Sequence, residues 1–149
     1  MCKTFLEELK QVLEENKDKR ICLLGTTCVG KTTLLDSLSD CLDMDKLIFP
    51  LLTPEEKDYV CQEPWTEEIG NYMNKLVRDK IKIEQGKPVF GTVVIDSDLI
   101  IFLEIDEELL KERTKLRNVS FSNAKSMSDK ILTEIEDSEI PILKVKVRQ

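Results

Sequence analysis

The eight residues Gly25-Thr26-Thr27-Cys28-Val29-Gly30-Lys31-Thr32 constrain this chain more than any others. They match the pattern Gly-x-x-x-x-Gly-Lys-Ser/Thr at every fixed position. The flanks have the polarity that such a loop needs. Arg20 to Leu24 (RICLL) is a short apolar run stopped by Gly25, which reads as a buried strand. Lys31 to Leu42 then places Leu34, Leu35, Leu38 and Leu42 on one helical face. A strand, a glycine-bounded turn and a helix in this order make a phosphate cradle. Gly25 lets the chain leave the strand sharply, and Gly30 removes a side chain that would block an anion. The intervening amides form a concave nest, and the helix adds its positive end. Segment 25–33, from Gly25 through Thr33, is therefore expected to hold the phosphates of ATP or GTP. Lys31 would reach the β- and γ-phosphates, the Thr32 hydroxyl would ligate Mg²⁺, and Thr33 would begin the helix packing.

The rest of the chain alternates in the same way. Phe5, Leu6, Leu9, Val12 and Leu13 recur at helical spacing, so 3–16 reads as an amphipathic helix within an N-terminal segment 1–19. Residues 46–49 (KLIF) read as a second strand ended by Pro50 and Pro54. Residues 55–85 read as mostly helical, closed by Gly86 and Pro88. Residues 88–96 and 99–105 are apolar on both faces, as buried parallel strands are. Asp106 is placed to cap a helix to about 116, a second helix covers 123–135, and 140–147 alternates as a last strand. The expected fold class is α/β, a three-layer α/β/α arrangement of one domain (1–149) around a mainly parallel sheet. Asp96 and Leu99 lie too close for an ordinary parallel crossover of about a dozen residues. Either the strand ends near Phe90 and 91–98 form a compressed crossover, or the two runs pair as a hairpin. The first is the expectation.

Composition narrows the partners. The chain has 149 residues, 41% hydrophobic and 34% charged, with net charge −7 and no histidine. That charge argues against nucleic acid or an anionic membrane as the main partner. No apolar run approaches the roughly 20 residues of a membrane span. Five cysteines (Cys2, Cys22, Cys28, Cys41, Cys61) without a C-x-x-C pair fit a reduced, cytoplasmic chain. Imidazole catalysis is excluded.

Two stretches carry a likeness to a known family: GTTCVGKTTLLDSL at 25–38 and DLIIFLEIDEELLKERTKLRN at 98–118. In these the chain resembles the adenylate kinase, shikimate kinase and nucleoside kinase branch of P-loop phosphotransferases. The resemblance implies a P-loop NTPase fold and an ATP-dependent, Mg²⁺-assisted kinase acting on a nucleotide or small-molecule acceptor. GTP remains open as donor. It makes Arg113 and Arg117 the lid arginines, on lid-side helices at 107–136. They stand four apart on one helical face, and their permanent charge and forked geometry suit phosphate oxygens. Asp96 ends Thr92-Val93-Val94-Ile95-Asp96, which resembles the Walker B acid that holds Mg²⁺ through water; otherwise it caps a turn. The segment 55–86 occupies the acceptor side, where Tyr59, Trp65, Tyr72 and Arg78 can stack on or grip a substrate, or simply serve as core and surface.

Departures from that family leave a rival reading. The acid expected just after the second strand is absent: that strand runs into Pro50-Leu51-Leu52-Thr53, with Glu55 and Glu56 only later and Asp43 and Asp45 before it. The lid after Arg117 is short, and the motif after the third strand is reduced to Gly91-Thr92. The alternative is a non-catalytic or slow ATP/GTP-binding module that regulates a partner protein. In that reading the N-terminal helix packs on the sheet edge or supplies a homo-oligomer contact.

Overall fold

The structure, a computed structural model, describes residues 4–38, 40–64 and 66–147. Cys2 and Trp65 lie outside the described residues. Among them, five strands form one sheet: β1 (Ile21–Leu24), β2 (Leu42–Asp43), β3 (Val89–Gly91), β4 (Leu99–Glu104) and β5 (Ile142–Lys146). Their order is β2-β3-β1-β4-β5 and every pairing is parallel. The helices are α1 (Phe5–Glu15), α2 (Lys31–Ser37), α3 (Met44–Ile48), α4 (Pro54–Val60), α5 (Glu67–Lys80), α6 (Glu107–Arg117) and α7 (Phe121–Ser138).

Every β1 side chain is buried, as befits a central strand covered on both faces. Period-two alternation sends Cys22, Leu24, Ile100 and Phe102 into one core with residues of α3, α4, α5 and α7. Ile21, Leu23, Ile101 and Leu103 enter a second core with α1, α2 and α6. The chain is thus an α/β protein with helices on both faces of an all-parallel sheet, compatible with three layers. Leu9 of α1 is fully buried in the second core, so this helix packs on the sheet. Burial pushes the Cys22 thiol up to about 12, so it stays protonated and packs as a small hydrophobe.

The compressed crossover is present and the hairpin is not. Gly91 lies beside Leu24 at the carboxyl end of β1, and Leu99 beside Ile21 at its amino end. Residues 92–98 therefore run back along the sheet without a helix, with Val93, Val94 and Ile95 buried against α5 and α7. Asp98 fastens the return. It accepts from the Arg20 amide at 2.9 Å and pairs with the Arg20 guanidinium at 3.2 Å. The Arg20 amide, then its side chain, holds the Asp98 carboxyl below the usual range. The stability it contributes is present above the ordinary aspartate pKa and is lost as pH falls through the depressed one. Asp98→Asn should accordingly flatten the acid limb of a melting-temperature profile below about pH 4, where an ordinary aspartate begins to protonate. An unchanged profile would remove this role.

Two segments depart from the sequence expectation. Residues 46–49 are not a strand: the strand is Leu42–Asp43, followed by α3 at Met44–Ile48. The Asp43 side chain accepts from the Asp45 amide as an N-cap, and Met44 and Ile48, four apart, turn into the core. A short apolar run is ambiguous between the two states, and the cap decides it. The stretch 55–85 is mostly helical, as expected, and divides into α4 and α5. Thr53 with Glu56 forms a capping box for α4, and Thr66 caps α5. Lys80 joins them, reaching Glu56 at 2.9 Å and the Leu51 carbonyl at 3.0 Å. Finally, α2 stops at Ser37, short of Leu42.

Candidate functional site

The sheet order places a crevice where the loop emerges. From β1 the chain goes to the β2 side, whereas from neighbouring β4 it goes to β5 on the other. Ligands of open α/β sheets bind at the carboxyl ends of strands where connections diverge in this way. The segment Gly25–Gly30 leaves β1 at that point. Its backbone is left-handed at two alternating positions, Cys28 (φ 69°) and Gly30 (φ 99°). Such alternation turns successive amides toward one concavity. For Cys28 the conformation costs about 1 kcal/mol or more, so the surroundings must hold it. The Thr26 hydroxyl donates to the Ala124 carbonyl at 2.6 Å, Cys28 packs on Leu110 and Ala124, and Arg113 donates to the Cys28 carbonyl at 3.1 Å. Gly30 caps α2 without a side chain, and the Leu34 amide bonds back to the Gly30 carbonyl at 2.9 Å. The amides of Lys31, Thr32 and Thr33 precede that bond and have no acceptor within the helix.

Lys31 reaches across the crevice to β2. Its ammonium lies 3.0 Å from Asp45 and 3.7 Å from Asp43. Partial burial opposes its charge, but the Asp45 hydrogen bond and the two carboxylates outweigh this and raise its pKa above the ordinary lysine value. It is a cation throughout the neutral range. Asp43 and Asp45 therefore stand at the carboxyl end of β2, beside the loop. A strand at 46–49 would leave them ahead of it, which hides their place from the sequence. An Asp43 cap ahead of Met44, Leu47 and Ile48 was the readable signal. Gly91, at the end of β3, permits this packing, since a Cβ there would collide with the Met44 side chain.

Arg113 and Arg117 project from α6 beside the loop. With Phe5, Leu6, Val29, Gly30 and Leu116 they line a cavity of about 370 Å³. Leu116 is 86% exposed there, an apolar face next to the loop. The geometry thus brings Arg113 onto the loop and Arg117 to its rim. Thr27, Thr32 and Thr33 are exposed on the loop and the start of α2.

Asp96 does not join them. Its carboxylate pairs with Arg20 at 3.2 Å and is 81% exposed. Arg20 precedes β1, so Asp96 stands at the amino edge of the sheet, with the four-residue strand between it and the loop. At about 3.3 Å per residue the separation exceeds 10 Å. The extended crossover carries the acid past the site, and a Walker B role for Asp96 is corrected on that ground. Asp96→Asn should leave nucleotide affinity and any Mg²⁺ dependence within about twofold of wild type, as for surface substitutions generally. A larger loss, measured by titration, would restore the role.

Tyr59 and Tyr72 pack edge-to-face, 4.9 Å between ring centroids, and join α4 to α5. They border a shallow recess with Thr53, Glu55 and Glu56. Arg78 is on the exposed side of α5. A larger groove of about 710 Å³ opens from Asp45 between α3, α5 and α7. Among the described residues no three acids or cysteines cluster in metal-binding fashion, and no helix is long and apolar enough to cross a membrane. Compared with known proteins, the chain matches no family model and no curated protein in sequence.

Proposed function

We propose that this chain is a P-loop phosphotransferase: a three-layer P-loop NTPase fold that transfers the γ-phosphoryl group of ATP to a small acceptor. The observation that carries the reading is the Lys31 ammonium of the loop within 3.0 Å of Asp45, at the mouth of a separate groove. A phosphate cradle, a lysine ammonium on it and an acid facing an acceptor space are the parts such a transfer needs.

The donor set fits Mg²⁺. The Thr32 hydroxyl, exposed at the start of α2, is a hard oxygen ligand of the kind this ion uses beside phosphates. When bound, the ion would neutralise charge on the β- and γ-oxygens. The chain's own residues do the remainder. The 26–33 amides hold the phosphates, and Lys31 exchanges Asp45 for the β- and γ-oxygens. Arg113 and Arg117 approach from α6 and offset charge on the transferred group. The cavity at Phe5, Leu6 and Leu116 offers apolar faces to the base, without a group that discriminates adenine from guanine.

The test is ADP or GDP release from MgATP and MgGTP with and without a panel of acceptors. Acceptor-dependent release supports the kinase. Tight nucleotide binding with release unaffected by every acceptor transfers the assignment to a binding module acting on a partner protein.

A further inference from the structure

The lining of the groove beside Asp45 restricts the acceptor. Among the described residues its uncharged polar groups are amides and hydroxyls: Asn71 and Asn74 of α5 with its cap Thr66, Asn123 and Ser126 of α7, and Thr92 of the crossover. Each amide can donate and accept. Among the described residues its charges are Asp45, Glu67 and Glu134 against Lys130. The described arginines are placed elsewhere. Arg20 is at the amino edge of the sheet, Arg78 on the outside of α5, and Arg113 and Arg117 beside the loop. Among the described residues no forked or clustered cations of the kind that grip a phosphate or carboxylate line it, and an anion here would face three carboxylates against one lysine. The apolar part is equally specific. Phe49 and Met127 are 41% and 38% exposed on its walls, surfaces suited to one side of a ring.

An acceptor of this kind also explains the acid. A phosphate acceptor arrives as an anion and has no proton to lose, whereas an alcohol must surrender one. Asp45 lines the groove and Asp43, which accepts the Asp45 amide at 3.0 Å, fixes its place. Resting on the phosphotransferase reading, we propose that the groove binds an uncharged or cationic alcohol of nucleoside size, and rejects phosphorylated and carboxylated acceptors. In the step, the alcohol oxygen forms a bond to the γ-phosphorus as the bond from that phosphorus to the bridging oxygen breaks. The electron pair stays on ADP, and the hydroxyl proton passes to the Asp45 carboxylate.

The experiment is ADP release from MgATP by the full chain with three sets of acceptors: nucleosides and neutral polyols, amino alcohols, and nucleoside monophosphates with hydroxy acids. The first or second set should raise release at least about tenfold while the third stays at background. Asn123→Ala, on an exposed helical position, should raise the KM of the active acceptor about fivefold, the loss of one hydrogen bond, and leave the KM for ATP unchanged. Turnover with monophosphates or hydroxy acids alone would overturn the acceptor class and leave the kinase standing. No turnover with any set would overturn the kinase, and the acceptor class with it. A KM for the active acceptor unchanged in Asn123→Ala would remove the groove as its site.

Discussion

Lys31→Ala is expected to lower acceptor-dependent ADP release by about 10²- to 10³-fold, the usual loss when one preorganised group facing the developing charge is removed. The geometry makes the loss larger than that of a bystander cation. Lys31 stands at the start of α2 and is held as a cation by Asp43 and Asp45. Its removal deletes a positive charge from the cradle and leaves two carboxylates facing the phosphates. The fold should hardly notice. The ion pairs are 37% exposed on the lysine side, and pairs so exposed contribute about 0–1 kcal/mol. The melting temperature should therefore stay near that of wild type while release collapses. Wild-type release from a folded Lys31→Ala protein would remove the loop from the chemistry.

The parts of this design differ in how plainly the sequence declares them. The loop was legible because its glycines and lysine sit at fixed spacing between an apolar strand and an amphipathic helix. The structure gives that helix a left-handed Gly30 as its cap. Strands β1, β4 and β5 and the Asp106 cap of α6 were legible for similar reasons: apolar runs with clear ends, and a side chain that accepts the Leu109 amide. The acids were not. Placing Asp43 and Asp45 required knowing that KLIF belongs to a helix, and four apolar-leaning residues carry too little periodicity to decide. Asp96 failed for a different reason. Its pattern was that of a strand ending at an acid, but the strand stops at Gly91 and the following residues reverse direction over the sheet. Local pattern cannot show at which edge of a sheet an extended segment ends.

The acids make the second large prediction, and its signs distinguish it from the first. Asp45→Asn should reduce transfer to the acceptor by about 10²- to 10⁴-fold, the range for loss of a positioned general base. Nucleotide affinity should move the opposite way. In the free protein Lys31 is bound to Asp45, and ATP must break that contact before the lysine can reach phosphate. With an amide at position 45 the competition is weaker and a negative charge near the phosphates is gone. For an exposed pair worth about 0–1 kcal/mol this is a gain of up to about fivefold in affinity. Asp43 should not behave in this way. Its side chain is 13% exposed and caps α3, so Asp43→Ala should also lower stability by about 1 kcal/mol. Titration of nucleotide binding alongside single-turnover transfer separates the cases. Weaker nucleotide binding in Asp45→Asn would mean that this carboxylate supports the phosphate site, through the metal or through the loop. Unchanged transfer would mean that the acceptor loses its proton without it. Tighter binding joined to lost transfer is the outcome that only an acid shared between the resting lysine and the reacting hydroxyl produces.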